Sequence, residues 1–293
     1  MTIDTLEMEC SNCGAPLLNV SDRVWKCEHC GTYTLVNFTD NKSYQGNIGD
    51  TFVHNYIKYI IITVAAHEVA VVGCDPGLSG EVILPSYVSF NNCTYTVVEI
   101  SSNVFMRCNR ITSLVLPAHL RTIGTFAFEY ARIPDGFKIP DTVEVIGNSA
   151  FSESTNLKEI SIPPSVRSIG TSAFYQCFDL ESVELSEGLE QIGVMAFRRS
   201  LRLKRVSIKG VVQAEPGHAY VPKSVRNMGK YVFNLTEISR VHIWEGTVYD
   251  PRQDVPVTKE SDASAEMPKS ESPKTVRIDE PPKKKGLLSR FKF

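Results

Sequence analysis

The sequence predicts a mainly β solenoid of 23-residue turns, built from strands with short helical turns and preceded by a small β module that four cysteines staple. Three observations carry this expectation. Ile123-Gly124, Ile146-Gly147, Ile169-Gly170 and Ile192-Gly193 recur at one 23-residue step, and Ala127-Phe128, Ala150-Phe151, Ala173-Phe174 and Ala196-Phe197 keep the same step. Inside each step apolar residues alternate, as in Leu157-x-x-Ile160-x-Ile162, which is the spacing of a half-buried strand. Finally, two Cys-x-x-Cys pairs, Cys10/Cys13 and Cys27/Cys30, stand at the N-terminal end.

In chain order, four parts are expected: a small metal-bound module at 1–36, a linker at 37–56, a solenoid with an N-terminal β cap at 57–249, and a disordered tail at 250–293. In the first part, two residues between paired cysteines let one tight turn aim both sulfurs at a single ion. Gly14 and Gly31 follow the pairs and suit such turns. Leu17 to Val20, Val24 to Lys26 and Tyr33 to Val36 read as strands. Four thiolates are the tetrahedral set that a structural Zn²⁺ prefers, so one zinc ion on Cys10, Cys13, Cys27 and Cys30 is expected. The segment from about residue 8 to residue 36 resembles the zinc-ribbon family. Sulfur would fill every position, which leaves no open site for metal catalysis. His29 is then a surface histidine. Met1 to Asp50 holds three basic and seven acidic residues, so nucleic-acid binding by this part is not expected.

The apolar run Tyr59 to Gly73 is split by His67 and Glu68 and falls short of the roughly 20 residues that a bilayer span needs. It reads instead as two strands of a cap, Tyr59 to Val64 and Glu68 to Val72, with Val82 to Leu84 following. A cap is needed because an open solenoid end exposes its core. Ser86 to Thr96 reads as a hairpin with Asn91-Asn92 at its turn, and Ile238 to Ile243 closes the far end.

In the repeats, Leu116, Ile139, Ile162, Leu185 and Ile208 each follow a phenylalanine by eleven residues. Stacking aligns Phe105, Phe128, Phe151, Phe174, Phe197 and Phe233 into one ladder. The pattern Leu-x-x-Val-x-Leu-Pro-x-x-Leu-x-x-Ile-Gly-x-x-Ala-Phe-x-x-Cys is similar to the BspA-type leucine-rich repeat family, over about Gly80 to Gly246. That resemblance implies a leucine-rich-repeat solenoid and a ligand-binding surface, and family members are associated with surface adhesion. Two departures stand out. Ile133-Pro134 replaces the first strand leucine and should distort its rung, and an insertion around Gln213 to Ala219 displaces the last copy. Cys108 and Cys177 share one repeat column and read as small buried groups.

The outward strand column is Val115, Lys138, Ser161, Glu184, Ser207 and His242, with Glu181 one rung from Lys204 and Arg205. Arg198, Arg199, Arg202, Lys204, Arg205 and Lys209, then Lys223, Arg226 and Lys230, make the last rungs basic. A protein ligand with acidic character fits this surface, and nucleic acid is not expected because no aromatic platform interleaves the charges. A nucleic-acid-associated regulator is the alternative, and a surface adhesin exported without a recognisable signal is another.

From Pro251 the composition turns to Pro, Ser, Glu and Lys, which cannot bury enough apolar surface to offset chain entropy. The basic, apolar-tipped terminus Lys283, Lys284, Lys285, Leu287, Leu288, Phe291 and Phe293 suits a weak contact with a membrane or a protein. Met1 to Cys10 is acidic and lacks an apolar core, so a cytoplasmic monomer with reduced cysteines is expected. No phosphate-binding loop, nucleophile elbow or His-Glu-x-x-His motif is present, so no enzyme is expected.

Overall fold

The computed structural model describes residues 46–244 and 247–248 in full, and the backbone alone of 17–21, 24–27, 33–35, 249 and 257–260. The chain divides into two units, 1–262 and 263–293, and every described residue lies in the first. Among the described residues no helix is long and apolar enough to cross a membrane.

The three runs read as strands near the N-terminus form β1 (Leu17–Ser21), β2 (Val24–Cys27) and β3 (Tyr33–Leu35). They make an antiparallel sheet in the order β1-β2-β3, with Leu17 opposite Cys27 and Lys26 opposite Tyr33. Cys10, Cys13, His29, Cys30 and the Cys27 side chain lie outside the described residues.

The cap starts at β4 (Thr51–His54), inside the stretch read as linker. β4 pairs antiparallel with β5 (Ile57–Thr63), and β5 with β6 (Glu68–Cys74). Phe52 anchors β4 by stacking on Tyr59 at 5.5 Å and on Phe90 at 4.6 Å. After β7 (Gly80–Ile83), β8 (Tyr87–Phe90) and β9 (Cys93–Ile100) form the expected hairpin. Asn91 and Asn92 take φ of 51° and 62°, the left-handed pair that a two-residue hairpin loop requires and that Asn tolerates. β9 also pairs parallel with β6, so the sheet changes here from antiparallel cap to parallel solenoid.

The repeats then alternate between two faces. In chain order they are β10 (Ile111–Val115), β11 (Thr122–Ile123), β12 (Val145–Ile146), β13 (Glu159–Ser161), β14 (Ser168–Ile169), β15 (Ser182–Leu185), β16 (Gln191–Ile192) and β17 (Arg205–Ile208). There follow β18 (His218–Tyr220), β19 (Asn227–Met228), β20 (Arg240–Trp244), β21 (Val248–Tyr249) and β22 (Val257–Glu260). The two-residue strands stack in parallel on the end of β9 as β9-β11-β12-β14-β16-β19-β21, and the longer ones as β13-β15-β17-β18-β20-β22. Register follows the repeat: Val145 lies opposite Thr122 and Ser168, and Gln191 opposite Ser168.

The expected helical turns at each Ala-Phe are absent. The residue two before each ladder phenylalanine is left-handed, as at Asn103, Phe126, Ser149, Ser172, Met195 and Tyr231, and so is the residue two after it. Such alternation breaks a helix and aims every second N–H at the next rung. Ser149, Phe151 and Glu153 donate to the carbonyls of Thr171, Ala173 and Tyr175 at 2.8, 2.7 and 2.7 Å. The turn side is therefore a third hydrogen-bonded ladder, and these bonds offset the cost of placing bulky residues at positive φ.

The core is the phenylalanine ladder. Successive rings from Phe105 to Phe197 lie 5.1–5.2 Å apart and nearly parallel, an offset stack close to the strand spacing of about 4.8 Å. Phe197 and Phe233 are 5.6 Å apart. Glycine is required where the rungs approach most closely: a Cβ on Gly147 would meet the carbonyl carbon of Gly124 at 2.7 Å.

Both departures leave marks. Around Ile133-Pro134 the long-strand face is reduced to one bridge, Arg132 to Thr155. Phe137 turns inward there, edge-on to Phe128 and Phe151 at 5.9 and 5.8 Å. The insertion supplies β18, which adds a strand to the long-strand face while β16 still pairs directly with β19 on the other. A third difference falls in the stretch expected to be disordered: β22 pairs parallel with β20, from Val241 opposite Val257 to Trp244 opposite Glu260. An open strand edge is a template, and Val257-Thr258 has the β-branched composition to extend it. The rest of the tail, including Lys283, Lys284, Lys285, Leu287, Leu288, Phe291 and Phe293, lies outside the described residues.

Candidate interaction surface

Parallel in-register strands place equivalent side chains one rung apart, so each column of the repeat becomes a row on the surface. On the long-strand face Val115, Lys138 and Ser161 are exposed and Glu184 is half-buried. Ser161 Oγ donates to Glu184 Oε2 at 2.9 Å. Beside this row the Lys204 ammonium donates to Glu181 at 2.7 Å and holds that carboxyl below its ordinary value. Arg202 pairs with Asp179 at 3.5 Å, and these exposed pairs stabilise weakly.

The row ends sooner than the sequence suggests, for Ser207 and His242 are buried. The insertion folds over Ser207, whose Oγ accepts the Ala214 N–H at 3.0 Å. His242, only 2% exposed, stacks on Tyr220 at 4.3 Å and sits 3.4 Å from the His218 ring nitrogen. Both partners come from β18, the strand that the repeat pattern does not contain. Burial, then the charges of His218 and Arg240, push the His242 imidazole down to about 4 from 6.5. The unfolded chain takes up a proton that the folded chain refuses. Stability is therefore full above pH 6.5 and is lost progressively as pH falls toward about 4. Urea midpoints measured across that window should decline on acidification, and His242→Phe should flatten the slope.

The basic residues do not form one patch. Lys204 and Arg205 belong to the long-strand face. Arg226 stands beside β19 in a column with Arg121, Glu144, Arg167 and Glu190, where charge alternates from rung to rung. Arg167 and Glu190 pair in that column at 3.0 Å, and Arg121 pairs with Glu68 of the cap at 2.7 Å. Lys223 Nζ lies 5.7 Å from the Trp244 ring centroid.

Arg198, Arg199 and Arg202 lie on the turn side. Arg198 donates to Asn234 Oδ1 at 2.9 Å and holds its guanidinium 5.7 Å from the Tyr231 ring centroid. Among them the structure exposes three large apolar side chains, Phe178 (42%), Leu201 (53%) and Leu235 (53%). Sequence reading passed over these three. A signal existed: Phe178 and Leu201 share a column that holds Asn109, Arg132 and Thr155 in earlier rungs.

A concavity of about 820 Å³ runs along the short-strand face, lined by Gly170, Gly193, Gly229, Asn148, Thr171, Gln191 and Asn227. Among the described residues no group of three or more His, Cys, Asp or Glu side chains could hold a metal.

Residues 98–220 match the BspA type Leucine rich repeat region, in six copies. No curated protein matches the chain. A leucine rich cell surface protein of Faecalibacterium prausnitzii A2-165 superposes with a TM-score of 0.55 at 20% identity, over 73% of this chain and 55% of that one. The chain thus spans about half the length of that protein. A leucine-rich repeat protein from Bacteroides ovatus ATCC 8483 covers 71% of this chain and 67% of its own, at 22% identity and a TM-score of 0.39. The pneumococcal vaccine antigen PcpA covers 69% and 52%, at 22% identity and a TM-score of 0.44.

Proposed function

We propose that this chain is a non-enzymatic protein-interaction scaffold whose leucine-rich-repeat solenoid binds a partner through the turn side of its last rungs. One observation carries the reading: Phe178, Leu201 and Leu235 are exposed on rungs that also carry Arg198, Arg199 and Arg202, with Arg202 paired to Asp179 next to Phe178 and the Arg199 N–H donating to the Asn234 carbonyl next to Leu235. The ladder core does not use these three apolar side chains. Aromatic, aliphatic and arginine side chains grouped on a rigid surface are the composition of interface centres. The partner that fits is a protein with an acidic segment carrying apolar side chains.

The test compares tagged wild-type protein with the pair Arg199→Glu and Leu201→Glu, both exposed and both recovered with unchanged circular dichroism. The double variant should lose at least tenfold of the partner protein recovered from native cells. Equal recovery overturns this placement. Recovery of nucleic acid instead, lost with rising salt, favours the nucleic-acid reading.

The N-terminal module accompanies this surface as an accessory docking unit that holds one structural Zn²⁺ on Cys10, Cys13, Cys27 and Cys30. The backbone supports this assignment. Leu17, the first residue of β1, lies opposite Cys27, the last residue of β2. In sequence, one Cys-x-x-Cys pair shortly precedes Leu17 and the other begins at Cys27. The proposed location is cytoplasmic. A surface adhesin is the second reading, favoured by the Faecalibacterium protein of the same fold being a cell surface protein. Labelling intact native cells with a membrane-impermeant biotin reagent separates the two.

A further inference from the structure

The sequence assigns Cys108 to the buried repeat column that also holds Cys177. Cys177 behaves accordingly: it is fully buried and donates its S–H to the Phe151 carbonyl at 3.0 Å. Cys108 does not. It belongs to the first rung, where no earlier turn ladder offers a carbonyl, and its sulfur lies 3.9 Å from that of Cys74. Cys74 ends β6, the cap strand that pairs with β9. Both cysteines are half-buried and pack against the core. By contrast Cys93 and Cys177 are buried.

We propose that Cys74 and Cys108 form an oxidisable pair, and that a low-molecular-weight disulfide converts them into a bond joining the cap to the first rung. The sulfurs need close only from 3.9 Å to about 2.05 Å. The chemistry is two-step exchange. The Cys108 thiolate attacks one sulfur of the external disulfide, forms a mixed disulfide and expels one thiolate. Cys74 gives up its proton to the expelled thiolate and attacks the Cys108 sulfur, and a second thiolate leaves and takes a proton from water. Two protein thiols are oxidised by two electrons, and one external disulfide is reduced to two thiols. The Cys74 S–H donates to the Val104 carbonyl at 3.1 Å and so keeps its proton; the contact between the two sulfurs, with burial, pushes the Cys74 thiol up and lowers the Cys108 thiol, so Cys108 attacks first. The bond would close a loop from the last cap strand across β7, β8 and β9, which restricts the unfolded chain.

The full-length protein is incubated with oxidised glutathione, its remaining thiols are alkylated, and it is digested without reduction for mass mapping. A linked peptide pair carrying Cys74 and Cys108 is expected, abolished by dithiothreitol. The oxidised protein should melt several degrees above the reduced one. In Cys74→Ser, Cys108 should instead retain one glutathionyl group. Alkylation of both cysteines after equilibration, or glutathione held separately on each without a linked pair, overturns the proposal. The wild-type map alone decides, so the result stands even where a serine variant fails to fold.

Discussion

Replacing Phe151 with alanine will destabilise the solenoid by about 3–5 kcal/mol. Its ring is fully buried and touches three others: Phe128 at 5.1 Å, Phe174 at 5.2 Å and, edge-on, Phe137 at 5.8 Å. Removal loses the transfer energy of the ring and leaves a cavity that cannot collapse. The rungs on either side are held at fixed spacing by two β ladders and by the turn ladder, so neighbours cannot move in to fill it. The position has a further consequence. A repeat array is stabilised by nearest-neighbour coupling, and a defect in the middle weakens the link between both halves. Among the described residues Phe233 has a ring partner on one side only, Phe197 at 5.6 Å, so Phe233→Ala should cost less. Thermal melts of the two variants provide the check. The interior variant should fall by roughly 6–20 °C and show a broader transition than the wild type. A loss below about 1 kcal/mol would mean that the strand ladders and not the rings hold the rungs together.

The repeat was legible because it is written in residue types that have one role. Phenylalanine at a fixed 23-residue step has to be core, and Ile-Gly marks a buried strand followed by a close approach. The Asn91-Asn92 turn and the rung distorted at Ile133-Pro134 were readable for the same local reasons. The turn ladder was not. Its left-handed positions hold Phe126, Ser149, Met195 and Arg199, residues that ordinarily avoid positive φ. What selects that geometry is hydrogen bonding to the next rung, a contact between residues a full repeat apart, and propensity carries no trace of it. The insertion misled for a related reason. His218 to Tyr220 lies off the repeat period, yet it enters the sheet between β17 and β20, and its side chains bury His242. A column rule read down the sequence then assigns His242 to solvent. On the candidate surface, the charges were visible in the sequence, but their separation onto different sides of the rung was not. The apolar residues among them became conspicuous only when their exposure was known.

The largest effect in the N-terminal module should follow loss of its metal. Purified full-length protein should carry about one zinc per chain, and Cys10→Ser combined with Cys27→Ser should carry none. Each of the two Cys-x-x-Cys pairs would lose one sulfur, so neither retains the geometry to hold the ion and the tetrahedral set is halved. A segment of this size has little apolar surface to bury, so the proposed metal would supply most of its folding energy. The consequences for the solenoid differ. Phe105 to Phe233 pack on one another and on the cap, and the cap strand β4 is anchored by Phe52 on Tyr59 and Phe90. Chelation should therefore abolish hydrogen-exchange protection in β1, β2 and β3 while leaving that of the repeats in place. Two outcomes are decisive. Zinc retained by the double serine variant removes these four cysteines as the ligand set. Protection lost across the repeats as well as in β1, β2 and β3 would mean that the metal supports the solenoid, and the module could no longer be treated as an accessory to it.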